Sequence, residues 1–330
     1  MTDSGSARPR PTARLAPVAR LPDGVTVGHW TDRTGWTGCT AILGPEGCVS
    51  AGEIRGGGPG TREFDLLSPA TSTPGAQAIV LAGGSAFGLA AAEGAVAWMR
   101  ERDIGFHAPN ATIPLVAGAV VYDLLLGDPS AYPDAAAGYA ACEAAGPELE
   151  RGSVGAGTGC TAGKLLGPDH WTKSGFGAAS ELAGDALVTA LAVANPIGDV
   201  IGPDGRVAAG VWRDGDWQPT VDLVRAGTGF ASGEREATTL VCILTDAQLS
   251  KTEAWKIARA GTAGLARAIA PCATALDGDL VTCLGTGRVP ADPFVLEVVA
   301  AEAVAAAIRD AAAQATAAPG CPTAAERLAA

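Results

Sequence analysis

The feature that most constrains the fold is an alternation of short apolar runs with a few long helical stretches. Runs of strand length, separated by glycine-containing turns, occur within residues 24–54, 77–82, 113–127 and 153–212. Helical patterns are fewer and longer, and they do not follow the strands one by one. This order predicts a layered α+β fold rather than a doubly wound parallel sheet.

Capping residues mark three helix starts. Ser250 precedes a helical pattern and has Glu253 three residues later, which is the arrangement of a capping box. Asp292 is followed by Pro293, and proline favours the first position of a helix. Asp134 opens a short alanine-rich stretch. We therefore expect helices to begin directly after residues 134, 250 and 292.

Length and composition indicate one large domain. Of the 330 residues, 48% are hydrophobic but only 5% are aromatic, and 45 are glycine, so the core consists of closely packed small aliphatic side chains. Residues 1–21 contain arginine and proline but lack the apolar segment of a secretory signal, which predicts a disordered tail before a single domain over residues 22–330. No apolar run reaches the roughly 20 residues that a membrane span requires.

Charge, cysteine and histidine content argue against several classes of function. The formal net charge of −12 disfavours nucleic acid, which needs a basic surface. The eight cysteines form no C-x-x-C pair and several lie in apolar runs, which indicates reduced thiols and a cytoplasmic protein. Because His29, His107 and His170 are isolated from one another and from cysteine pairs, we expect neither a metal nor another cofactor.

Two glycine-rich segments resemble site motifs without matching them. In GAGTGCTAGK, residues 155–164, the glycines are one residue too far apart for a P-loop, and Leu165 follows the lysine where Ser or Thr is required. Its glycines still predict backbone amides exposed in a turn, a shape that suits an anion or an oxyanion. In GGSAFG, residues 83–88, Phe87 replaces the second glycine of a serine-hydrolase elbow, so Ser85 is interpreted as a turn or helix-cap residue.

One apolar strand begins with two hydroxyls. In GEREATTLVCILTDA, residues 233–247, a glycine and three charges give way at Ala237 to two threonines and an apolar run. Threonine is common in strands, so an ordinary strand start is one interpretation. The other is that one hydroxyl is a nucleophile whose own amine is freed by cutting the chain before it. Farther on, Asp277 and Asp279 of a DGD segment are by themselves typical of a turn, but two residues apart in a strand they face the same side.

Several segments taken together resemble the DmpA-type aminopeptidases, a family that includes β-peptidyl aminopeptidases and nylon-oligomer hydrolases. The resemblance covers about residues 22–310. The segments that carry it are, in family order, RGGGPGTRE, AGGSAFGL, VVYD, GAGTGCTAGK, ANPIGD, ATTLVCILTDA and DGD. Each is a weak signal alone, whereas their order and spacing are specific.

The resemblance implies a four-layer αββα sandwich and a precursor that cuts itself before a Ser or Thr, which becomes the nucleophile of a small subunit. The matching position is Thr238, so cleavage between Ala237 and Thr238 is implied, giving pieces 22–237 and 238–330. A homotetramer is also implied. The implied activity is hydrolysis of amide bonds in small peptides or amino-acid oligomers, including aminohexanoate oligomers.

The resemblance assigns supporting roles to Tyr122, Lys164, Asn195, Asp277 and Asp279. A terminal α-amine, with an ordinary pKa of about 7.7–8.0, is an intrinsic base for the Thr238 hydroxyl at neutral pH. In this scheme the two aspartates orient the amine and the hydroxyl, and Asn195 and Tyr122 donate to the developing oxyanion. Lys164 tunes Thr238 or stabilises negative charge.

Two other functions stay open at this point. Ala237 stands where the nylon hydrolases have asparagine, although glycine is also used in the family. Ornithine acetyltransferases share the fold and cut between Ala and Thr, so acyl transfer is the second choice, even though their glycine-rich lysine motif is not evident here. An uncut binding protein with an inactive site is the third.

Overall fold

A computed structural model describes residues 19–230 and 236–330 of the chain. The predicted tail, residues 1–21, lies outside the described part except for its last three residues. Of these, Leu21 packs against the core, and the Arg20 carbonyl oxygen accepts hydrogen bonds from the hydroxyls of Ser180 (3.2 Å) and Thr189 (2.6 Å). Most of the charged loop before Ala237, residues 231–235, also lies outside the described part.

The secondary structure of the described residues follows the alternation expected from the sequence. The first ten strands are β1 (Thr26–Asp32), β2 (Thr37–Leu43), β3 (Val49–Ile54), β4 (Thr61–Arg62), β5 (Ala78–Ala82), β6 (Phe106–Ala108), β7 (Ala111–Ile113), β8 (Val116–Val120), β9 (Thr161–Ala162) and β10 (Thr172–Lys173). The others are β11 (Phe176–Ala183), β12 (Ala186–Asn195), β13 (Asp199–Ile201), β14 (Val207–Ala209), β15 (Trp212–Arg213), β16 (Asp216–Trp217), β17 (Thr238–Ala247), β18 (Ile269–Ala270) and β19 (Leu280–Val289). The α-helices are α1 (Ala91–Glu101), α2 (Ala135–Glu143), α3 (Thr220–Arg225), α4 (Lys251–Ala268), α5 (Pro293–Ala313) and α6 (Ala324–Ala329), and 3₁₀ helices cover Phe64–Leu67, Ser85–Ala90 and Gly155–Gly157.

The three predicted helix starts are confirmed. The capping box of Ser250 and Glu253 is complete at the start of α4. Asp292 accepts a hydrogen bond from the Phe294 N–H at the start of α5, and Asp134 accepts one from the Ala137 N–H at the start of α2. Each cap satisfies a backbone donor that has no partner inside its helix.

Two five-stranded mixed sheets form the middle of the molecule. The first has the order β1-β2-β5-β8-β4 and the second the order β11-β12-β17-β19-β3. One neighbouring pair in each sheet is parallel, β5 with β8 and β17 with β19. The other neighbouring pairs are antiparallel.

Helices cover the outer face of each sheet. Helices α1 and α2 pack on the first sheet, and α4 and α5 pack on the second. In β17, Leu240, Cys242 and Leu244 point into the layer between the sheets, whereas Val241 and Ile243 pack with α4 and α5. A strand buried on both faces reads as a continuous apolar run, as β17 does. The order helix, sheet, sheet, helix confirms the αββα sandwich of an α+β fold.

The glycine-rich composition lets helices lie close to the sheets and to one another. A Cβ added at Gly177 in β11 would lie 2.2 Å from the carbonyl oxygen of Ala307 in α5. Likewise, a Cβ at Gly138 in α2 would lie 1.8 Å from the Ala91 carbonyl oxygen in α1. Both distances are far inside van der Waals contact, so these interfaces require glycine.

Candidate active site

The strand pairing of β17 brings the predicted site residues to one edge of the second sheet. Because β17 and β19 are parallel, with Leu240 opposite Leu280, the start of β17 lies beside the residues that directly precede β19. Thr238 begins β17, and the DGD segment directly precedes β19. Strand β12 runs antiparallel to β17, so its last residue, Asn195, lies opposite Thr238.

The carbonyl group before Thr238 is held by two donors. The Thr238 hydroxyl donates to the Ala237 carbonyl oxygen at 2.6 Å, and the Gly278 N–H donates to the same oxygen at 2.8 Å. A Cβ at Gly278 would lie 2.6 Å from the Thr238 hydroxyl oxygen, so the glycine provides the space that this hydroxyl occupies. The arrangement places a hydroxyl next to a polarised carbonyl.

The second threonine has a different position. Successive residues of a strand point to opposite faces, and Thr239 is fully buried whereas Thr238 lines a cavity. The Thr239 hydroxyl is buried without a hydrogen-bond partner in the described part of the chain. Of the two adjacent hydroxyls, the geometry therefore favours Thr238 for chemistry on a bound molecule.

Both aspartates of the DGD segment are buried beside Thr238, and they do not form a turn. Asp277 makes a parallel bridge with Ala237, so the segment extends β19 toward the start of β17. The Asp279 carboxylate accepts the N–H groups of Thr239 (2.6 Å) and Ala273 (2.8 Å). Burial, and next the negative charge of Asp277, raise the pKa of Asp279 far above its ordinary value.

Asp277 has one oxygen engaged and one unengaged. Its Oδ2 accepts the N–H (2.9 Å) and the hydroxyl (2.6 Å) of Thr274. Its Oδ1 is buried with no hydrogen-bond partner among residues 19–230 and 236–330. A buried carboxylate oxygen without a donor is costly, so this atom marks a place for a further donor.

The glycine-rich segment RGGGPG fixes the DGD backbone from behind. The N–H groups of Arg55 (2.8 Å) and Gly56 (3.0 Å) donate to the Asp279 carbonyl oxygen, and the Gly58 N–H donates to that of Asp277 (2.9 Å). A Cβ at Gly56 would lie 2.0 Å from the Asp277 carbonyl oxygen. The glycines of this segment therefore serve close backbone approach.

Lys164 and Asn195 form a buried support. The Lys164 ammonium donates to the carbonyl oxygens of Thr161 (2.7 Å), Asn195 (2.9 Å) and Pro196 (2.8 Å). The Asn195 side chain accepts the Thr161 N–H at 3.0 Å and donates to the Tyr122 carbonyl oxygen at 2.8 Å. Burial lowers the pKa of Lys164 to about 7. These contacts link Lys164 to Thr238 through Asn195.

The prediction of exposed amides in residues 155–164 is wrong. The segment is buried, and most of its N–H groups donate within the protein. The pairs include Gly155 with Thr31, Ala156 with Thr40, Thr161 with Asn195, Gly163 with Gly198 and Lys164 with Ile197. Its glycines allow this turn to pack against neighbouring strands, which the sequence pattern alone does not distinguish from an anion site.

A cavity of about 380 Å³ opens at Thr238. Two of its walls come from segments that sequence reasoning left without a site role, the loop at Gly58–Gly60 and the turn at Ser85 and Ala86. Ser85 begins a 3₁₀ helix but does not cap it with its side chain, and its φ is +52°. The full lining is Gly58, Pro59, Gly60, Ser85, Ala86, Val120, Tyr122, Glu236, Ala237, Thr238, Ala275 and Leu276.

The described part of the chain has neither a cluster of metal ligands nor a membrane-spanning helix. Within residues 19–230 and 236–330, no three His, Cys, Asp or Glu side chains are grouped as metal ligands. None of the helices in that part of the chain is both long enough and apolar enough to cross a membrane.

Comparison with known proteins identifies the family. The model of the family described as Peptidase family S58 matches residues 22–321. The chain belongs to peptidase family S58. This membership confirms the resemblance to the DmpA-type aminopeptidases and makes the protein a hydrolase that acts on amide bonds.

Individual proteins similar to this chain are named as aminopeptidases or amide hydrolases. An uncharacterized aminopeptidase of Mycobacterium leprae is 39% identical over 302 residues, covering 84% of this chain and 81% of the relative. A 6-aminohexanoate-oligomer endohydrolase of Agromyces sp. is 32% identical over 279 residues, covering 81% of this chain and 74% of the relative. The structure of an L-aminopeptidase D-Ala-esterase/amidase from Ochrobactrum anthropi, described as a variant of the Ntn hydrolase fold, superposes with a TM-score of 0.70. At 18% identity, with 96% of this chain and 94% of that chain covered, it shows the fold.

Proposed function

We propose that the chain cuts itself between Ala237 and Thr238 and that Thr238 then serves as the N-terminal nucleophile of an amidase for small substrates. The observation that carries this proposal is the pair of hydrogen bonds on the Ala237 carbonyl oxygen, from the Thr238 hydroxyl and from the Gly278 N–H. The donor from Gly278 is placed to stabilise the negative charge that this oxygen gains under attack. The products are a larger piece that ends at Ala237 and contains the domain residues 22–237, and a smaller piece, residues 238–330.

Self-cleavage follows as an acyl shift. The Thr238 hydroxyl oxygen attacks the Ala237 carbonyl carbon, and its proton passes to the Thr238 nitrogen as the peptide bond breaks. Water then hydrolyses the resulting ester, which releases the Ala237 carboxylate and restores the hydroxyl. The new α-ammonium is a donor that did not exist before the cut, and the buried, unengaged Oδ1 of Asp277 is an acceptor for it.

Turnover uses the same hydroxyl with a new base. The Thr238 α-amine accepts the hydroxyl proton while the oxygen attacks the substrate carbonyl, and the leaving amine takes that proton. Water completes the reaction by hydrolysing the acyl-enzyme. Asp279 holds the backbone at Thr239, Asn195 holds the opposite strand, and Lys164 supports Asn195. The second N–H of the Asn195 amide and the Tyr122 side chain are the donors we assign to the substrate oxyanion.

The size and lining of the cavity support a small substrate. About 380 Å³ lies in the lower part of the range for small-molecule sites, and neutral side chains dominate the walls. We therefore propose short peptides or amino-acid oligomers, linear aminohexanoate oligomers included, as the substrate class. No cofactor enters the scheme.

The two pieces are expected to stay together after cleavage. Strand β17 belongs to the second piece but lies between β12 of the first piece and β19 in one sheet, and its apolar side chains are buried on both faces. Separation would expose this surface to water. Size exclusion in native buffer therefore should elute both pieces in one peak.

We also propose a homotetramer in the cytoplasm. On α5, Phe294 is 70% exposed and Val298 50% exposed, one turn apart, which is typical of an interaction surface. Each of the eight cysteines is a free thiol, in keeping with a reducing compartment. Light scattering should give four times the chain mass of 32.7 kDa.

The test of function is hydrolysis by the purified full chain. A panel of amino-acid amides, β-amino-acyl amides and aminohexanoate oligomers should release free amine with water as the only acceptor. Thr238→Ser should retain part of the activity, and Thr238→Ala should lose about a thousandfold or more. Acetyl transfer to glutamate in place of hydrolysis would favour the acyltransferase alternative, and an intact chain without turnover would favour a binding protein.

A further inference from the structure

Asp123 is a buried carboxylate that the scheme above does not use. It follows Tyr122 directly, is only 3% exposed, and accepts hydrogen bonds from the Thr37 hydroxyl (2.8 Å) and from the Gly84 N–H (2.6 Å). A Cβ at Gly83 would lie 2.0 Å from Asp123 Oδ2, so the chain carries glycine where the carboxylate lies. The carboxylate is thus built into the turn after β5.

The turn that Asp123 holds has an unfavourable backbone conformation. Gly84 and Ser85 are both left-handed, with φ of +77° and +52°. For a residue with a Cβ, such as Ser85, this conformation is sterically unfavourable. Strain of this kind persists only where surrounding contacts fix it, and it is concentrated at functional sites. The contacts that fix it are the Asp123 carboxylate on the Gly84 N–H and the Val121 carbonyl oxygen, which accepts the Ser85 N–H at 2.9 Å.

The strained turn is a wall of the cavity. Ser85 and Ala86 line the cavity together with Ala237 and Thr238, as do Val120 and Tyr122 from the same segment as Asp123. Val120 and Tyr122 therefore lie at the cavity, and the carboxylate of the next residue, Asp123, accepts the Gly84 N–H of the turn. None of the contacts of Asp123 involves the Ala237 carbonyl or the Gly278 N–H.

We propose that Asp123 is a positioning residue for substrate hydrolysis, which holds the Gly84–Ser85 turn in the shape that substrate binds against. The inference rests on the proposed function, because it assigns to the wall a role in turnover at Thr238. It goes further in separating the two reactions of that hydroxyl. Self-cleavage acts on a carbonyl already fixed by Gly278, whereas a substrate must be held by the wall.

The experiment measures both reactions in matched variants of the full chain. Asp123→Ala removes both acceptors, whereas Asp123→Asn keeps an oxygen that can accept the Gly84 N–H. Thr37→Val removes one donor and leaves the carboxylate in place. Asp199→Asn is the control, because Asp199 is equally buried and accepts the N–H of Val211 (3.1 Å) and both the N–H (2.6 Å) and hydroxyl (2.9 Å) of Thr220, but does not line this cavity.

The readouts are the half-time of self-cleavage in cell-free translation and kcat and KM of the processed protein. For Asp123→Ala we expect cleavage within twofold of the parent and kcat/KM at least tenfold lower, mainly through a higher KM. Asp123→Asn should recover part of the loss, and Thr37→Val should lose about threefold. Asp199→Asn should match the parent in both reactions.

Three results would overturn the inference. The first is a kcat/KM of Asp123→Ala within twofold of the parent value. The second is a joint fall of self-cleavage and turnover in both Asp123→Asn and Thr37→Val, as a general folding defect would cause. The third is an equal loss in Asp199→Asn. Failure of the proposed function looks different, since the parent chain itself would then neither cut itself nor hydrolyse amides, and the inference would fall with it.

Discussion

The two sheets meet the cavity with different kinds of groups. The edge of the second sheet supplies buried polar and ionisable side chains, namely Thr238, Asn195, Asp277 and Asp279. The edge of the first sheet supplies mostly shape, through the strained turn at Ser85 and the segment that ends in Asp123. In the proposed function, the second sheet provides the nucleophile and the first sheet delimits the space in front of it.

This difference suggests that making the nucleophile and holding the substrate are separable tasks. The Ala237 carbonyl, where we propose cleavage, accepts the N–H of Gly278, which belongs to the second sheet's edge. A substrate also needs the wall from the first sheet. Substitutions at the edge of the second sheet should therefore affect both self-cleavage and substrate turnover. Substitutions at the edge of the first sheet should affect turnover alone.

The largest effect is expected at Thr238. Thr238→Ala removes the attacking hydroxyl, so the chain should stay intact and amide hydrolysis should fall by about a thousandfold or more. Thr239→Val is the matched control, because it removes a buried hydroxyl without a described partner and keeps the side-chain shape. It should cleave and turn over like the parent. Gel electrophoresis measures cleavage and an amine-release assay measures hydrolysis. Loss of cleavage in Thr239→Val, with cleavage retained in Thr238→Ala, would show that Thr239 is the nucleophile.

The aspartates should give the next largest effect and should differ from each other. Asp279→Asn removes an acceptor from the N–H of either Thr239 or Ala273, so cleavage and kcat should both fall by about ten- to a hundredfold. Asp277→Asn can still accept from Thr274 but loses the negative charge that we propose as the partner of the new ammonium. It should slow turnover by a similar factor and cleavage by less. If Asp277→Asn slowed self-cleavage and turnover equally, its unengaged Oδ1 would not be the acceptor for the new ammonium.

A smaller effect is expected from a side chain added next to the Thr238 hydroxyl. A Cβ at Gly278 would lie 2.6 Å from the Thr238 hydroxyl oxygen and 2.9 Å from the Gly58 carbonyl oxygen, so Gly278→Ala should slow cleavage by about tenfold. Gly146→Ala is the control, since its Cβ would meet no atom within 4 Å. The half-time of cleavage in cell-free translation measures both. Parent-like cleavage in Gly278→Ala would show that the hydroxyl does not need this position.

The last prediction concerns the pH dependence of stability rather than a rate. Burial raises the pKa of both Asp123 and Asp199 to about 6. Between pH 4 and 6 the unfolded chain has lost these protons while the folded protein keeps them. Each carboxyl therefore lowers the free energy of unfolding as pH rises through that window, and its contribution stays constant above pH 6. In a Thr238→Ala background, which stays one chain, the stability of the parent relative to Asp199→Asn should fall by up to about 3 kcal/mol between pH 4 and 6. Denaturant melts measure it, and a relative stability that rises with pH would contradict the sign.

Much of the fold and part of the site were predictable from the sequence. The caps at Ser250 and Asp292, the apolar run of β17 and the small aliphatic core are local or compositional properties, and each was predicted. The resemblance named Thr238 and its polar neighbours because their segments occur in family order. The structure places Asn195 opposite Thr238 and the DGD segment beside it.

The remaining features depend on pairings that are distant in sequence. The role of Gly278 follows from the parallel pairing of β17 with β19, more than 30 residues apart, which no local pattern specifies. The turn at Ser85 resembles a serine-hydrolase elbow without matching it, and Asp123 lies in the VVYD segment, where the sequence indicates no role for it. The glycines of residues 155–164 suggested an anion site, although the N–H groups of Gly155, Gly157 and Gly163 donate within the protein.

The measurement that tests the central claim most directly is a denaturing mass spectrum of the purified 330-residue chain, combined with terminal sequencing of the smaller piece. We predict two pieces whose masses sum to the 32.7 kDa chain plus one water, the smaller beginning Thr-Thr-Leu-Val-Cys at Thr238. A single intact species that hydrolyses amides, or a smaller piece that begins at Thr239, would contradict the account.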